Sequence, residues 1–241
     1  MKTNTEYKNA ALAALKGNWA KAVLASVVVI AIMYLGLGPY LIHYFKMQHF
    51  MAENLVSAGD PSLMMDPEYQ ALTAKTMLWW GFYLLFAIFV IQPMSVGLDN
   101  ASLRLLRFGE NDILGNTWQI ATKKYWRKVW GMFLMGFYIF LWSLLFIIPG
   151  IIKMFSYAMT TYILEENPEL SADEAIDRSR AMMKGHKFDL FWLILSFIGW
   201  FILCAFTLGI GLLWLMPYTN TTVAAFYEDV KADYEKNGGL N

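Results

Sequence analysis

Four stretches of this chain contain no Asp, Glu, Lys or Arg: Ala22 to Phe45, Thr76 to Leu98, Val129 to Ile152 and Leu190 to Tyr227, of 24, 23, 24 and 38 residues. A helix of about 20 apolar residues crosses the hydrocarbon core of a bilayer. A chain with four such runs folds in lipid. Its composition, 58% hydrophobic and 16% charged over 241 residues, is too apolar for an ordinary soluble domain. The 19 acidic and 19 basic side chains cancel, so no overall field points to nucleic acid, and none is expected as a partner. Cys204 is the sole cysteine and lies inside an apolar run, so it forms no intrachain disulfide. The first apolar run is too long for a signal-peptide core and reads as a retained helix.

The number of crossings follows from breaks and repeats. The 38-residue run exceeds one helix and breaks at Gly209-Ile210-Gly211, which makes it a hairpin. The run from Val129 breaks similarly at Pro149-Gly150. Ile151 to Leu164 follows, interrupted by Lys153 alone; by itself it is short for a span. A shift of 61 residues, however, lays Gly150, Tyr157, Thr160 and Thr161 on Gly211, Tyr218, Thr221 and Thr222. A shift of 168 lays Thr3, Glu6, Lys16 and Gly17 on Ser171, Glu174, Lys184 and Gly185. Both copies start with a Ser/Thr-x-x-Glu capping box. A weaker third copy, at a shift of 107, lays Lys16 to Lys21 on Lys123 to Lys128. The pattern predicts three units, each an amphipathic lead-in helix followed by a helical hairpin, with a loop of about 30 residues inserted in the first.

Charge placement supports six crossings with the N-terminus inside. The inner pieces 1–21, 99–128, 165–189 and 228–241 then hold 4, 6, 4 and 2 Lys/Arg, and outside lie Lys46, Lys75 and Lys153. This is the positive-inside asymmetry. On this count Lys153 falls just past an outer turn and snorkels to headgroups. In the lead-in from Ser171, the residues Ala172, Ala175, Ile176, Ser179, Met182 and Met183 share one helical face, opposite Asp173, Glu174, Asp177, Arg178 and Arg180. Tyr7, Ala10, Ala11 and Ala14 repeat the pattern. Such helices suit the cytoplasmic leaflet surface, with Lys16, Lys21, Lys123, Lys124, Arg127, Lys128, Lys184 and Lys187 either fixing topology or meeting lipid phosphates.

Polar residues inside the bilayer are the next place to look for function. Gln92, Pro93 and Ser95 fall in the second helix, Ser156, Tyr157, Thr160 and Thr161 in the fourth, and Pro217, Tyr218, Asn220, Thr221 and Thr222 in the sixth. Pro93 and Pro217 bend their helices and free carbonyls, which suits a polar pocket between the even helices; the same hydroxyls also serve as glue between helices. No Asp or Glu is expected at mid-membrane, which lowers ion-coupled transport. The inserted loop carries His43, Met47, His49, Met51, Glu53, Met64 and Met65, but their spacing matches no metal motif, and Gly59-Asp60-Pro61 reads as a turn. No metal and no cofactor is expected. There is no H-E-x-x-H, G-x-S-x-G, Walker loop or dinucleotide fingerprint, so no catalytic residue is assigned. His186, beside Lys184 and Lys187, reads as a lipid contact, and with Asp189 it is the nearest approach to an enzyme-like pair.

The strings Ala14-Leu15-Lys16-Gly17-Asn18-Trp19, Ile148-Pro149-Gly150-Ile151-Ile152, Leu170-Ser171-Ala172 to Ser179-Arg180 with Met183-Lys184-Gly185, and Gly209-Ile210-Gly211 to Pro217-Tyr218 with Phe226-Tyr227-Glu228 resemble an uncharacterised family of bacterial polytopic membrane proteins, a domain of unknown function. That family is in turn distantly similar to the membrane domain fused to some glycerophosphodiester phosphodiesterases, whose soluble catalytic barrel this chain lacks. The resemblance implies a bacterial inner membrane and a six-helix fold, and brings no activity. The expected architecture is all-α: a polytopic membrane protein of six transmembrane helices as three helical hairpins with amphipathic cytoplasmic lead-in helices. It forms a single integral domain of units 1–98, 99–166 and 167–229 with a tail 230–241, both termini cytoplasmic. The expected role is a non-enzymatic module that binds membrane lipids or other membrane proteins. The alternative is a transporter of lipids or small molecules, with a path between the even helices near Gln92, Thr160 and Asn220.

Overall fold

The computed structural model describes residues 1–54 and 64–238. Among them all the regular secondary structure is helical and no strand occurs. The helices are α1 (Asn4–Leu15), α2 (Trp19–Glu53), α3 (Pro67–Phe86), α4 (Gln92–Phe108), α5 (Ile113–Thr122), α6 (Tyr125–Leu145), α7 (Ile147–Ser156), α8 (Thr160–Glu166), α9 (Ala172–Met182), α10 (Lys187–Leu195), α11 (Ile198–Phe206) and α12 (Leu212–Lys236). By length and composition, five described stretches suffice to cross a membrane: Trp19–Glu53, Pro67–Phe108, Tyr125–Leu145, Ile147–Glu166 and Lys187–Phe206. The doubtful segment after Pro149 is thus part of a sufficient stretch. The last helix, α12, is not among the five; Glu228, Asp229 and Lys231 interrupt its second half.

The chain divides into two compact units, Val29–Ile91 and the remainder. Within Val29–Ile91, α2 and α3 pack along an aromatic seam. Gly36 lies so close to the Phe86 ring that a Cβ would collide with it. Tyr40 packs on Trp80 at 5.0 Å between ring centroids, and Phe50 on Tyr69 at 6.3 Å. The expected inserted loop is therefore mostly helix: α2 runs on to Glu53, and α3 starts at Pro67, capped by Asp66. Proline at the first turn costs no hydrogen bond, which suits that start. The expected turn at Gly59-Asp60-Pro61 lies outside the described residues. Upstream of Pro93 the helix widens into a π-helical turn, Ala87–Ile91. A proline lacks the N–H and crowds the carbonyl four residues back, which accounts for the widening.

The other unit packs the lead-in helices against the bundle. Thr3 and Ser171 both form complete capping boxes, with Glu6 and Glu174. The backbone N–H of Thr3 and then its hydroxyl hold the Glu6 carboxyl below its usual range, and the Ser171 hydroxyl does the same for Glu174. The predicted face of α9, Ala172, Ala175, Ile176, Ser179, Met182 and Met183, is buried. It covers α6 and α8 rather than lipid. Tyr7 and Ala11 of α1 are buried likewise, and α1 packs on α12. A third lead-in, α5, starts at Asp112, which caps Gly115 N, and lies against α4 where Gly97 leaves no room for a Cβ beside the Thr117 carbonyl.

All three lead-ins end alike. Gly17 and Gly185 have φ of +81° and +93°, and the residue at the matching place, Lys124, has φ of +49°. A left-handed backbone costs an L-residue roughly 1–2 kcal/mol, whereas glycine adopts it freely. Replacing Lys124 with Gly is expected to raise stability by about 0.5–1 kcal/mol, after allowance for the looser unfolded chain. Denaturant unfolding in detergent reads the change; a destabilised K124G would show that the lysine side chain matters more than its backbone.

Candidate functional site

The α4, α8 and α12 helices meet in the interior of the larger unit. Tyr162 and Tyr227 stack at 4.5 Å, and both are about 1% exposed. Asn100 of α4 donates to the Thr161 carbonyl of α8 at 3.0 Å and to its own Val96 carbonyl at 2.9 Å. The chain breaks between α7 and α8 at Tyr157–Met159, and Ser179 of α9 repairs the break: it donates to the Ser156 carbonyl at 3.0 Å and accepts from Met159 N at 3.1 Å. Ser179 therefore belongs on the buried face of α9 because the orphaned backbone groups need it.

At the end of this junction where α8 stops, charges converge. Glu166 accepts from Tyr227 at 2.6 Å and Lys231 at 2.7 Å, and pairs with Arg107, which also pairs with Glu228. Glu165 pairs with Lys128 at 2.8 Å and lies 3.8 Å from Arg104. Arg127 donates to the Leu164, Asn167 and Leu170 carbonyls, satisfying the C-terminal end of α8. Asp229 ties down α1, accepting from Tyr7 at 2.5 Å and Lys2 N at 2.7 Å. Burial pushes the Asp229 carboxyl up, but these hydrogen bonds hold it below its usual range.

The residues singled out in the sequence divide between packing and surface. Thr221 and Thr222 are buried and donate to carbonyls of their own helix at 2.8 and 2.7 Å, as Ser156 does at 2.7 Å. Thr160 is buried with no partner for its hydroxyl among the described residues, because the break at Tyr157–Met159 removes the usual acceptor four residues back. Tyr157 is buried, while Gln92, Ser95, Tyr218 and Asn220 are half-buried. Of the basic residues, Lys16, Lys21, Lys123, Lys124 and Lys184 are exposed and Lys187 is half-buried. Lys128 is buried, its ammonium spent on Glu165 and on the Ile120 and Lys123 carbonyls. His186 sits between Asp189 at 3.3 Å and Asp233 at 3.2 Å. No three His, Cys, Asp or Glu of the described residues come together as a metal site.

Asn100, Glu165, Glu166 and Glu228 were missed from the sequence. The signal available was a Glu-Glu pair closing an apolar run, opposite Arg104 and Arg107 one helical turn apart.

A groove of about 450 Å³ opens elsewhere in this unit, between α11, α12 and the α1–α2 corner. Trp19, Trp200, Leu203, Cys204, Trp214 and Tyr218 are among its walls, which are almost wholly apolar. Gly211 lies against Cys204 so closely that a Cβ would reach 2.8 Å from its sulfur. Trp19 and Phe197 hold the Tyr218 ring edge-on at 6.5 and 5.1 Å.

Residues 146–234 match the sequence model of a family described as a protein of unknown function (DUF975). No curated protein and no solved structure matches the chain.

Removing the Glu166 charge should strand Lys231 and leave Arg107 with Glu228 as its carboxylate partner. Glu166→Gln is expected to cost about 2–3 kcal/mol, since breaking a largely buried ion pair leaves its partner uncompensated. A double-mutant cycle with Lys231→Met, read by unfolding in detergent, should recover part of the loss; strict additivity would show that the pair is not coupled.

Proposed function

We propose that this protein is a non-enzymatic, lipid-interacting module of a bacterial inner membrane, with both termini on the cytoplasmic side. The observation that carries this reading is the apolar groove walled by Trp19, Trp200, Leu203, Cys204, Trp214 and Tyr218. Its walls offer dispersion contacts and hardly any polar partner, which suits an acyl chain and not a polar solute. It lies among residues such as Leu203 and Trp214 that are themselves exposed and apolar, so a membrane lipid reaches it without crossing water.

Three hairpins make up the membrane part on this reading, six embedded helices in all. Matching caps at Thr3 and Ser171 and the shared left-handed residues Gly17, Lys124 and Gly185 support descent from a repeated unit. The tight contact of α4, α8 and α12, with Thr160, Thr221 and Thr222 buried and the Tyr162–Tyr227 stack between helices, favours close packing over the wall of a transport path. The exposed Lys16, Lys21, Lys123, Lys124 and Lys184 remain available to anionic headgroups.

Native mass spectrometry of the detergent-purified protein is expected to show retained phospholipid. Leu203→Trp, which fills the groove, should lower its occupancy by about tenfold, the equivalent of about 1.4 kcal/mol. Protein free of lipid, or lipid retained equally by L203W, would refute the groove as the lipid site.

A further inference from the structure

The hairpins α6–α7 and α10–α11–α12 carry charged groups far down their length. On α9 the side chains Asp173, Glu174, Asp177 and Arg180 are exposed. That helix lies along α6 and α7: Tyr138 donates to Asp173 at 2.7 Å, and Lys153 sits within electrostatic reach of Asp177 and Arg180. The Lys153 ammonium rests over the Trp142 ring at 4.3 Å. On the other hairpin, Lys8 of α1 donates to the Ser196 carbonyl at 2.9 Å and lies over the Phe197 ring at 4.3 Å.

Exposed carboxylates do not face hydrocarbon, and unlike Lys and Arg they are too short to snorkel. The polar region of the bilayer therefore extends at least to Tyr138 on one hairpin and to Ser196 on the other. From Tyr138 to the tip at Phe146 the chain advances 8 residues, about 12 Å at helical rise. From Lys153 back to Ile147 it is 6 residues, about 9 Å, and from Ser196 to Leu208 it is 12 residues, about 18 Å. The hydrocarbon core is about 30 Å thick. Although each stretch is 20 or 21 residues long, too little of it lies beyond the charged level to reach the far side.

The tips agree. Leu144, Leu145, Phe146, Ile147 and Ile148 are 62–76% exposed, and Leu208 is 94% exposed. A turn that emerged into water would present these side chains to it. The α2–α3 hairpin is built differently: α2 alone is 35 residues, about 52 Å, and its far end bears His49 and Glu53.

We propose that the α6–α7 and α11–α12 hairpins are re-entrant: their apolar tips end among the acyl chains near the bilayer middle and return to the side they entered from, while the α2–α3 hairpin crosses. Lys153 then lies on the same side as most of the basic residues, and Lys46 and Lys75 are the basic residues left beyond the membrane. This deepens the membrane-module reading and rests on it, but its test does not depend on retained phospholipid.

The test uses single cysteines at Ile147 and Leu208 in a Cys204→Ala background, with Glu68→Cys as the far-side control, in the full chain reconstituted in phosphatidylcholine/phosphatidylglycerol vesicles. A nitroxide at either tip is expected to be relaxed by oxygen and shielded from a water-soluble nickel chelate, at a depth of about 10–20 Å below the nearer phosphates, and neither cysteine should react with an impermeant maleimide from either side. Maleimide labelling of either tip from the side that labels Glu68→Cys, or a nitroxide depth at the far phosphate plane, would overturn the proposal. Both side chains are exposed, so neither substitution disturbs the packing.

Discussion

Apolar helices have few places to put charge, and the larger unit of this protein concentrates its ion pairs around the ends of α4, α8 and α12. Arg104, Arg107, Arg127, Lys128, Glu165, Glu166, Glu228, Asp229 and Lys231 form a continuous set of pairs and caps where α4, α8 and α12 leave the apolar region. The opposite end, from Leu144 to Ile148 and at Leu208, is bare hydrocarbon surface. The lead-in helix α1 docks beside these charges, where Asp229 accepts from Tyr7 and from Lys2 N.

The lead-in helices do more than mark an interface. By burying their apolar faces on the bundle, α1 and α9 convert what would be surface-lying amphipathic segments into walls of a protein core, with Tyr7, Met159, Tyr162, Met182, Met183 and Phe226 packed together. Ser179 shows how close the fit is, since one hydroxyl from α9 answers both a free N–H and a free carbonyl at the break between α7 and α8. The apolar groove lies outside this core, against Phe197, Cys204 and Leu215, and apart from the ion-paired end.

Local features were legible in the sequence. The capping boxes at Thr3 and Ser171 and the shared apolar face of α9 depend on neighbours three to seven residues apart, and the structure has them as read, although that face packs on the bundle and not on a leaflet surface. What depended on distant partners was not legible. Glu166 reads as a surface acid until Tyr227, 61 residues on, is brought against it. Lys128 reads as a headgroup contact until its partners Glu165 and the Ile120 carbonyl are known. Apolar length alone also does not reveal that Asp173, on the polar face of α9, lies beside Tyr138. Hydroxyls at the spacing of Thr221 and Thr222 look alike in the sequence whether they face a polar path or, as here, donate to carbonyls of their own helix.

The most direct measurement is a cryo-electron microscopy map of the protein in a lipid nanodisc, in which the two phosphate layers appear beside the helices. The nearer layer is expected to meet the protein at the level of Asp173, Tyr138 and Lys8, with Phe146 and Leu208 between the layers. Density showing those tips at or beyond the far phosphate layer, with Asp173 surrounded by acyl chains, would contradict it.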